Sequence, residues 1–245
     1  MSIVLVTGGA GGIGSAICKA FAAKGNNVIV HYKSKKKAAE ELAESLAAEF
    51  DIYAYSVYAD VSDSTSVAEM FDLIESEVGE VDIMINNAGI AEQKLFTDIT
   101  DEDWKQMTGV NLDGVFYCCR EVLRRYMIRN HSGVILNISS MWGQAGASCE
   151  VHYSAAKAGV IGLTKALAKE VGLSGVRVNC IAPGVVLTNM MKSFDGQTLA
   201  ELRDETPLNR LGTPDDIAKA AVFLCSEKAD FITGQILGVN GGMII

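Results

Sequence analysis

The sequence predicts a single doubly wound α/β domain, a seven-stranded parallel sheet with helices on both faces. Three observations predict it. Short apolar runs alternate with helix-period segments from end to end, a glycine-rich turn joins the first run to the first helical segment, and 245 residues suit one large domain. The runs cover residues 3–7, 28–31, 52–59, 83–86, 134–139, 176–182 and 235–239. Between them, helical periodicity covers residues 12–24, 35–49, 64–77, 101–130, 153–172 and 214–224. Strands separated by a dozen or more helical residues need right-handed crossovers, which make the sheet parallel. Residues 1–245 therefore read as one domain without repeats or Pro/Ser-rich linkers. Residues 184–212 break the pattern with weak periodicity, mixed charge and Pro207, and are expected to form a mobile substrate lid.

With 49% hydrophobic residues, 24 Gly and 3 Pro, the composition excludes disorder, a collagen-like repeat and a disulfide scaffold. The net charge of −9 argues against a broad nucleic-acid or anionic-membrane surface. The start, Met1 to Val6, is apolar but lacks a basic leader and runs straight into a turn, so it reads as a strand and not a signal peptide. The charge-free residues 131–149 are broken by Asn137, Ser139, Ser140 and glycines, which argues against a membrane span. The six cysteines (18, 118, 119, 149, 180, 225) show no CxxC spacing, and the three histidines show no metal-ligand spacing. Buried thiols, no metal and a cytoplasmic location are expected.

The first strand runs into Thr7-Gly8-Gly9-Ala10-Gly11-Gly12-Ile13-Gly14 and then into a helix. Glycines permit a tight turn and close backbone approach, and the helix N-terminus offers amide donors, so the turn suits a pyrophosphate. No Gly-Lys-Ser/Thr is present, which excludes a P-loop. The second strand ends in His31-Tyr32-Lys33-Ser34. A carboxylate there would grip the ribose diol of NAD, whereas Lys33 and Ser34 can receive the extra phosphate of NADP. NADPH is the expected cofactor, ahead of NAD. The plain alternative is that Lys33, Lys35, Lys36 and Lys37 are a solvated helix start.

Tyr153 and Lys157 stand four apart in Tyr-Ser-Ala-Ala-Lys and so share a helix face. An ammonium beside a phenol favours phenolate, which would lower the tyrosine pKa from about 10 and suit it to acid–base work. Ser140 lies thirteen residues upstream, the turn Asn86-Asn87-Ala88-Gly89 follows the fourth strand, and Asn111 opens Asn111-Leu112-Asp113-Gly114. With Asp60-Val61, Pro183-Gly184 and the closing stretch from Gly234 to Gly242, these motifs resemble the short-chain dehydrogenase/reductase family over essentially the whole chain.

The resemblance implies a single-domain Rossmann fold and hydride transfer between a nicotinamide and a carbonyl or secondary alcohol carbon. Tyr153 would protonate the substrate oxygen, Ser140 would hold that oxygen, and Ser139 would be a packing residue. Lys157 would tune Tyr153 and bind the nicotinamide ribose, with Asn111 anchoring a water-borne proton relay behind it. Thr7, Gly8, Gly12, Ile13 and Gly14 would line the pyrophosphate turn, and Tyr32, Lys33 and Ser34 the phosphate-bearing ribose. Asp60 and Val61 would border the adenine, Asn87, Ala88 and Gly89 would support the cofactor's middle, and Pro183, Gly184 and Thr188 would complete its site. Gly11 departs from many NADP-using members, which carry a basic residue in that turn. The family also implies a homotetramer paired through residues 101–130 and 153–172. The second helix offers Ala155, Ala158, Gly159, Gly162 and Ala166 for close approach, although packing against its own sheet would use them equally.

The substrate is less defined, because one fold serves many ketones. Overall the chain resembles bacterial 3-oxoacyl-acyl-carrier-protein reductases. The stretch from Ser140 to Tyr153, with Trp142-Gly143 and Gly146-Ala147-Ser148-Cys149-Glu150-Val151, more closely resembles reductases acting on elongation factor P that carries a 5-aminopentanone-modified lysine. Glu150 could hold a cationic amine by a charge-assisted hydrogen bond, and Trp142 could add a cation–π contact. A loop glutamate and a packing aromatic are the plainer readings of the two. Carrier-protein docking favours arginines near the site entrance, where this chain has His131 and Ser174, although Arg125 and Arg129 lie close. Modified elongation factor P is the favoured expectation and the acyl-carrier-protein substrate the alternative. A non-catalytic NADP-binding regulator is disfavoured because Tyr153 and Lys157 are both present. A sugar-nucleotide epimerase would need a longer C-terminal region, and a sterol or polyol dehydrogenase would more often use NAD.

Overall fold

A computed structural model describes residues 1–188 and 195–245. Among them, seven parallel strands form one sheet in the order β3-β2-β1-β4-β5-β6-β7. The first half alternates β1 (Ile3–Val6), α1 (Gly12–Ala22), β2 (Asn27–Tyr32), α2 (Lys36–Phe50), β3 (Ala54–Tyr58), α3 (Ser64–Glu77) and β4 (Ile83–Asn86). The helical residues 101–130 follow as α4 (Asp101–Thr108), α5 (Gly114–Val122) and α6 (Ile128–Asn130). The chain continues through β5 (Gly133–Ile138), α7 (Trp142–Ala145), α8 (Val151–Val171), β6 (Val176–Pro183), α9 (Gly196–Asp204), α10 (Pro214–Cys225) and β7 (Ile236–Val239).

Alternation along each strand divides the core in two. Val4, Val6, Val28 and Val30 pack with α1, α2 and α10, whereas Leu5, Ile29, Met84 and Ile135 pack with α3, α5 and α8. This is the two-sided covering that the alternating pattern predicts. The chain builds outward from β1 to β3, then returns to lay β4 against β1. The strand order reverses at that pair, and ligands of open α/β sheets bind in the crevice beyond the strand ends there.

Several expected boundaries shift. The long helix over 101–130 is interrupted by π turns at Gly109–Asp113 and Leu123–Met127, and α8 begins at Val151 rather than Tyr153. Of the expected lid, residues 189–194 lie outside the described residues. The remainder contains α9, whose periodicity is weak because none of its residues is buried. All six cysteines are free, five of them buried. No helix among the described residues is long and apolar enough to cross a membrane, and no group of three or more His, Cys, Asp or Glu there could hold a metal.

One buried polar chain fixes α8 on the sheet. Asn86 Nδ2 on β4 donates to Asn137 Oδ1 on β5 at 2.8 Å, and Asn137 Nδ2 donates to Thr164 Oγ1 on α8 at 2.9 Å. Asn137→Ala leaves both buried partners short of a bond, a loss of about 1–3 kcal/mol. The urea unfolding midpoint should fall accordingly. An unchanged midpoint would show that the chain carries no stability.

Candidate active site

At the β1–β4 crevice the two turns are laced together. Thr7 Oγ1 accepts the Asn87 and Ala88 amides at 2.9 and 3.0 Å, and Asn87 Nδ2 donates to the Thr7 carbonyl at 2.9 Å. Gly8 is left-handed at φ 63°, and its carbonyl crosses the start of α1 so closely that a Cβ on Gly14 would lie 2.3 Å from it. A Cβ on Gly12 would come within 3.0 Å of Thr188, which brings the two ends of the expected cofactor site together. No side chain caps α1, so the amides at Gly12, Ile13 and Gly14 remain at its N-terminus as donors. A bare, glycine-lined helix start of this kind fits a dinucleotide pyrophosphate.

At the outer end, Lys33 Nζ lies 2.5 Å from the Asp60 carboxylate. Burial alone would raise the Asp60 carboxyl, but hydrogen bonds from Lys33 and Ser62 outweigh it and hold the pKa below its ordinary value. Lys33 is thus engaged, though about half exposed, and such pairs are worth about 0–1 kcal/mol. An incoming phosphate could share it cheaply. Tyr32 packs edge-on against Tyr58, Ser34 is exposed, and Val61 is buried against Gly114.

The carboxyl ends of β4 and β5 and the start of α8 gather the remaining expected groups. Lys157 is almost fully buried, its Nζ donates to the Ile138 carbonyl at 2.9 Å, and it lies 5.8 Å from the Tyr153 ring centroid. Burial pushes its pKa down to about 8. Tyr153 does not follow the expectation of a lowered pKa. Burial raises it, the Ser140 hydroxyl opposes the shift, and the Glu150 carboxylate adds to it. The lysine does not offset this here because its ammonium is drawn to Ile138. Ser139 donates to the Lys157 carbonyl at 2.8 Å, a packing role as expected.

Asn111 sits within the first π turn, and its amide group donates to the Ile90 and Met107 carbonyls at 2.9 and 3.1 Å. Its Oδ1 accepts from Ile90 N at 3.2 Å. With both amide protons committed, a water relay at Asn111 would run through the main chain. Pro183 accepts the Met141 amide at 2.9 Å, and Gly184 runs so close to Asn240 that a Cβ would lie 2.7 Å from its Cα.

Helix α7, before α8, begins with Trp142, half-buried, whose amide donates to Ser140 Oγ at 3.2 Å. Glu150 accepts from Gln93 Nε2 at 3.3 Å, and the Lys94 amide donates to the Cys149 carbonyl at 2.7 Å. The loop after β4 therefore clasps the loop before α8. Arg125 pairs with Asp72, Glu75 and Glu121, and Arg129 pairs with Glu80 beside the starts of β4 and β5, at the opposite end of the strands from the crevice.

A family model described as enoyl-(acyl carrier protein) reductase matches residues 8–244. The chain belongs to the short-chain dehydrogenase/reductase family. An uncharacterised oxidoreductase of Bacillus subtilis, YmfI, is 44% identical over 238 residues, covering 97% of each chain. The 3-oxoacyl-acyl-carrier-protein reductases FabG of Chlamydia muridarum and Chlamydia trachomatis are 40% and 41% identical, covering 98% of this chain and 96% of each relative. This short-chain dehydrogenase/reductase is accordingly an oxidoreductase acting on CH–OH or C=O groups, in a family that binds nicotinamide cofactors.

Sequence reading missed three contributors to the site. The Ile138 carbonyl is invisible in sequence because any residue supplies one. Gly143 approaches the Lys157 backbone so closely that a Cβ would lie 2.8 Å from its carbonyl carbon, and only its place beside Trp142 hinted at this. His31 looked like an ordinary strand end.

Gly89 tests the cluster. A Cβ there would lie 2.7 Å from Asn111 Oδ1 and 3.5 Å from Lys157 Nζ. Gly89→Ala should cut kcat with a ketone by at least about tenfold, since displacement of about 1 Å at a reacting centre can cost more than that. The melting temperature should change little. Full activity would show that this close approach is dispensable.

Proposed function

We propose that the protein is an NADPH-dependent reductase of 3-oxoacyl thioesters on acyl carrier protein, yielding the 3-hydroxyacyl product. The observation that carries the chemistry is the meeting of Ser140, Tyr153 and buried Lys157 beyond the ends of β4 and β5. The substrate is inferred from FabG relatives that match nearly end to end. This reverses the order of the two substrates expected from the loop sequence.

A nicotinamide cofactor held by the glycine turn at Gly8–Gly14 and by Lys157 would supply hydride to the carbonyl carbon. Ser140 holds the carbonyl oxygen by donating its hydroxyl proton into a hydrogen bond. Tyr153 gives its proton to that oxygen as negative charge develops there. The phenol is protonated at neutral pH and so able to donate, although burial and Glu150 make it a weaker acid. Lys157 faces the phenolate left behind, and the Asn111 main chain lets water return a proton. In the interface we propose for a homotetramer, exposed Trp104 on α4 and Phe116 on α5 would find cover.

Modified elongation factor P is retained as a second reading because of Glu150. Its carboxylate stands close enough to Tyr153 to raise the phenol pKa, a place where a cationic amine gains and a neutral ketone does not.

NADPH consumption should be measured with acetoacetyl acyl carrier protein and with elongation factor P bearing 5-aminopentanone. Preference for the thioester is expected, and Tyr153→Phe should lower that rate by about 100-fold or more while NADPH binding stays within about threefold. Preference for the modified factor would overturn the first reading. In that case Glu150→Gln should weaken only the amine-bearing ketone, and an equal loss with a neutral ketone would sink the ammonium contact. Cofactor choice has its own check. Lys33→Asp should move preference from NADPH toward NADH, as read from kcat/KM for each, and an unaltered preference would reject Lys33 as the phosphate contact.

A further inference from the structure

His31 is buried at the carboxyl end of β2, and no step of the chemistry uses it. Both ring nitrogens are nonetheless committed. Nδ1 lies 2.9 Å from the Gly8 amide and Nε2 lies 3.0 Å from the Ala59 carbonyl. The partners fix the tautomer, because an amide can only donate and a carbonyl can only accept. Nε2 therefore carries the proton, and Nδ1 offers its lone pair to Gly8. Burial pushes the ring pKa down to about 4, so the neutral form that this pattern requires persists at neutral pH.

The two partners belong to different parts of the cofactor site. Gly8 opens the pyrophosphate turn, and Ala59 directly precedes Asp60 at the expected adenine border. Gly8 also anchors the turn as a whole. Its carbonyl accepts the Gly11 amide at 3.0 Å and Asn87 Nδ2 at 3.3 Å, and it lies where any side chain on Gly14 would stand. Rotating the Gly8–Gly9 peptide would drive that carbonyl into the first turn of α1. The His31 carbonyl holds that peptide by accepting the Gly9 amide at 2.9 Å, while the ring holds the preceding Thr7–Gly8 peptide.

We propose that His31 is a positioning residue for the dinucleotide, its ring bracing the left-handed Gly8 turn against the end of β3 so that the amides of α1 face the pyrophosphate. This rests on the family's use of a nicotinamide cofactor and is independent of which ketone is reduced.

Two isosteric replacements separate the ring's bonds. In His31→Asn the side-chain oxygen falls near the position of Nδ1 and can still accept from Gly8. In His31→Gln the amide nitrogen falls near Nε2 and keeps only the Ala59 bond. NADPH and NADH dissociation constants should be measured by fluorescence for wild type and both variants. His31→Asn should stay within about threefold of wild type, whereas His31→Gln should bind the preferred cofactor at least about tenfold more weakly. The cofactor KM of His31→Gln should rise, with kcat at saturation within about twofold. Equal losses in both variants, or a loss shared between KM and kcat, would overturn the positioning role. Wild-type protein binding neither nucleotide would overturn the cofactor assignment together with it. If a variant fails to fold, the ring itself can be read, since the chain has only three histidines. Its 15N shifts should report a neutral ring protonated at Nε2 at neutral pH, and a cationic or Nδ1-protonated ring would overturn the proposal.

Discussion

A primary ammonium held away from water at the carboxyl end of a parallel sheet sets the terms for the surrounding site. Depressing Lys157 from its ordinary 10.5 to about 8 corresponds to about 3 kcal/mol against the charged form at neutral pH. One hydrogen bond to the Ile138 carbonyl offsets part of that cost. An ammonium has three donors, so a diol or phenolate entering the crevice meets a cation short of partners. The strain of burying it is therefore also the source of its attraction for a ligand.

Holding that charge in place requires backbone to come close on several sides. Gly89 leaves no room for a Cβ beside Asn111 and Gly143 none beside the Lys157 backbone, and Ser139 donates to the lysine carbonyl. The Asn86–Asn137–Thr164 chain then sets the depth of α8 against the sheet, and with it Tyr153 and Lys157 together. The pyrophosphate turn obeys the same rule. Thr7 and Asn87 lace β1 to β4, and the Gly8 carbonyl can cross the start of α1 only because Gly14 carries no side chain. Preorganisation here comes from backbone packed to contact, with few side chains spanning the gaps.

This division explains what could be read in the sequence. The alternation of runs and helices yields the parallel sheet because both signals are local and repeated along the chain. The Tyr-x3-Lys spacing and the glycine turn are visible for the same reason. The first π turn is not, since its Asn111 reaches back to Ile90 and Met107, contacts that local spacing does not reveal. Helix α9 escapes because it buries nothing and so leaves no periodic trace. The direction of the Tyr153 shift escapes too. Proximity to Lys157 is legible from spacing, but desolvation and the Glu150 carboxylate are set by how the preceding loop folds over the phenol.

That loop couples substrate choice to acid strength. Glu150 opposes loss of the Tyr153 proton through its negative charge, so whatever neutralises Glu150 makes the phenol a stronger acid. A bound ammonium would do so on arrival, and the donor would be strengthened only when the correct substrate is present. A thioester leaves Glu150 with Gln93 alone, and Tyr153 then works as the weaker acid that burial makes it. The interior fixes which bond is reduced, and it is common to both cases. On the proposed reading, the charge of the substrate beside Glu150 would decide how readily the proton follows the hydride.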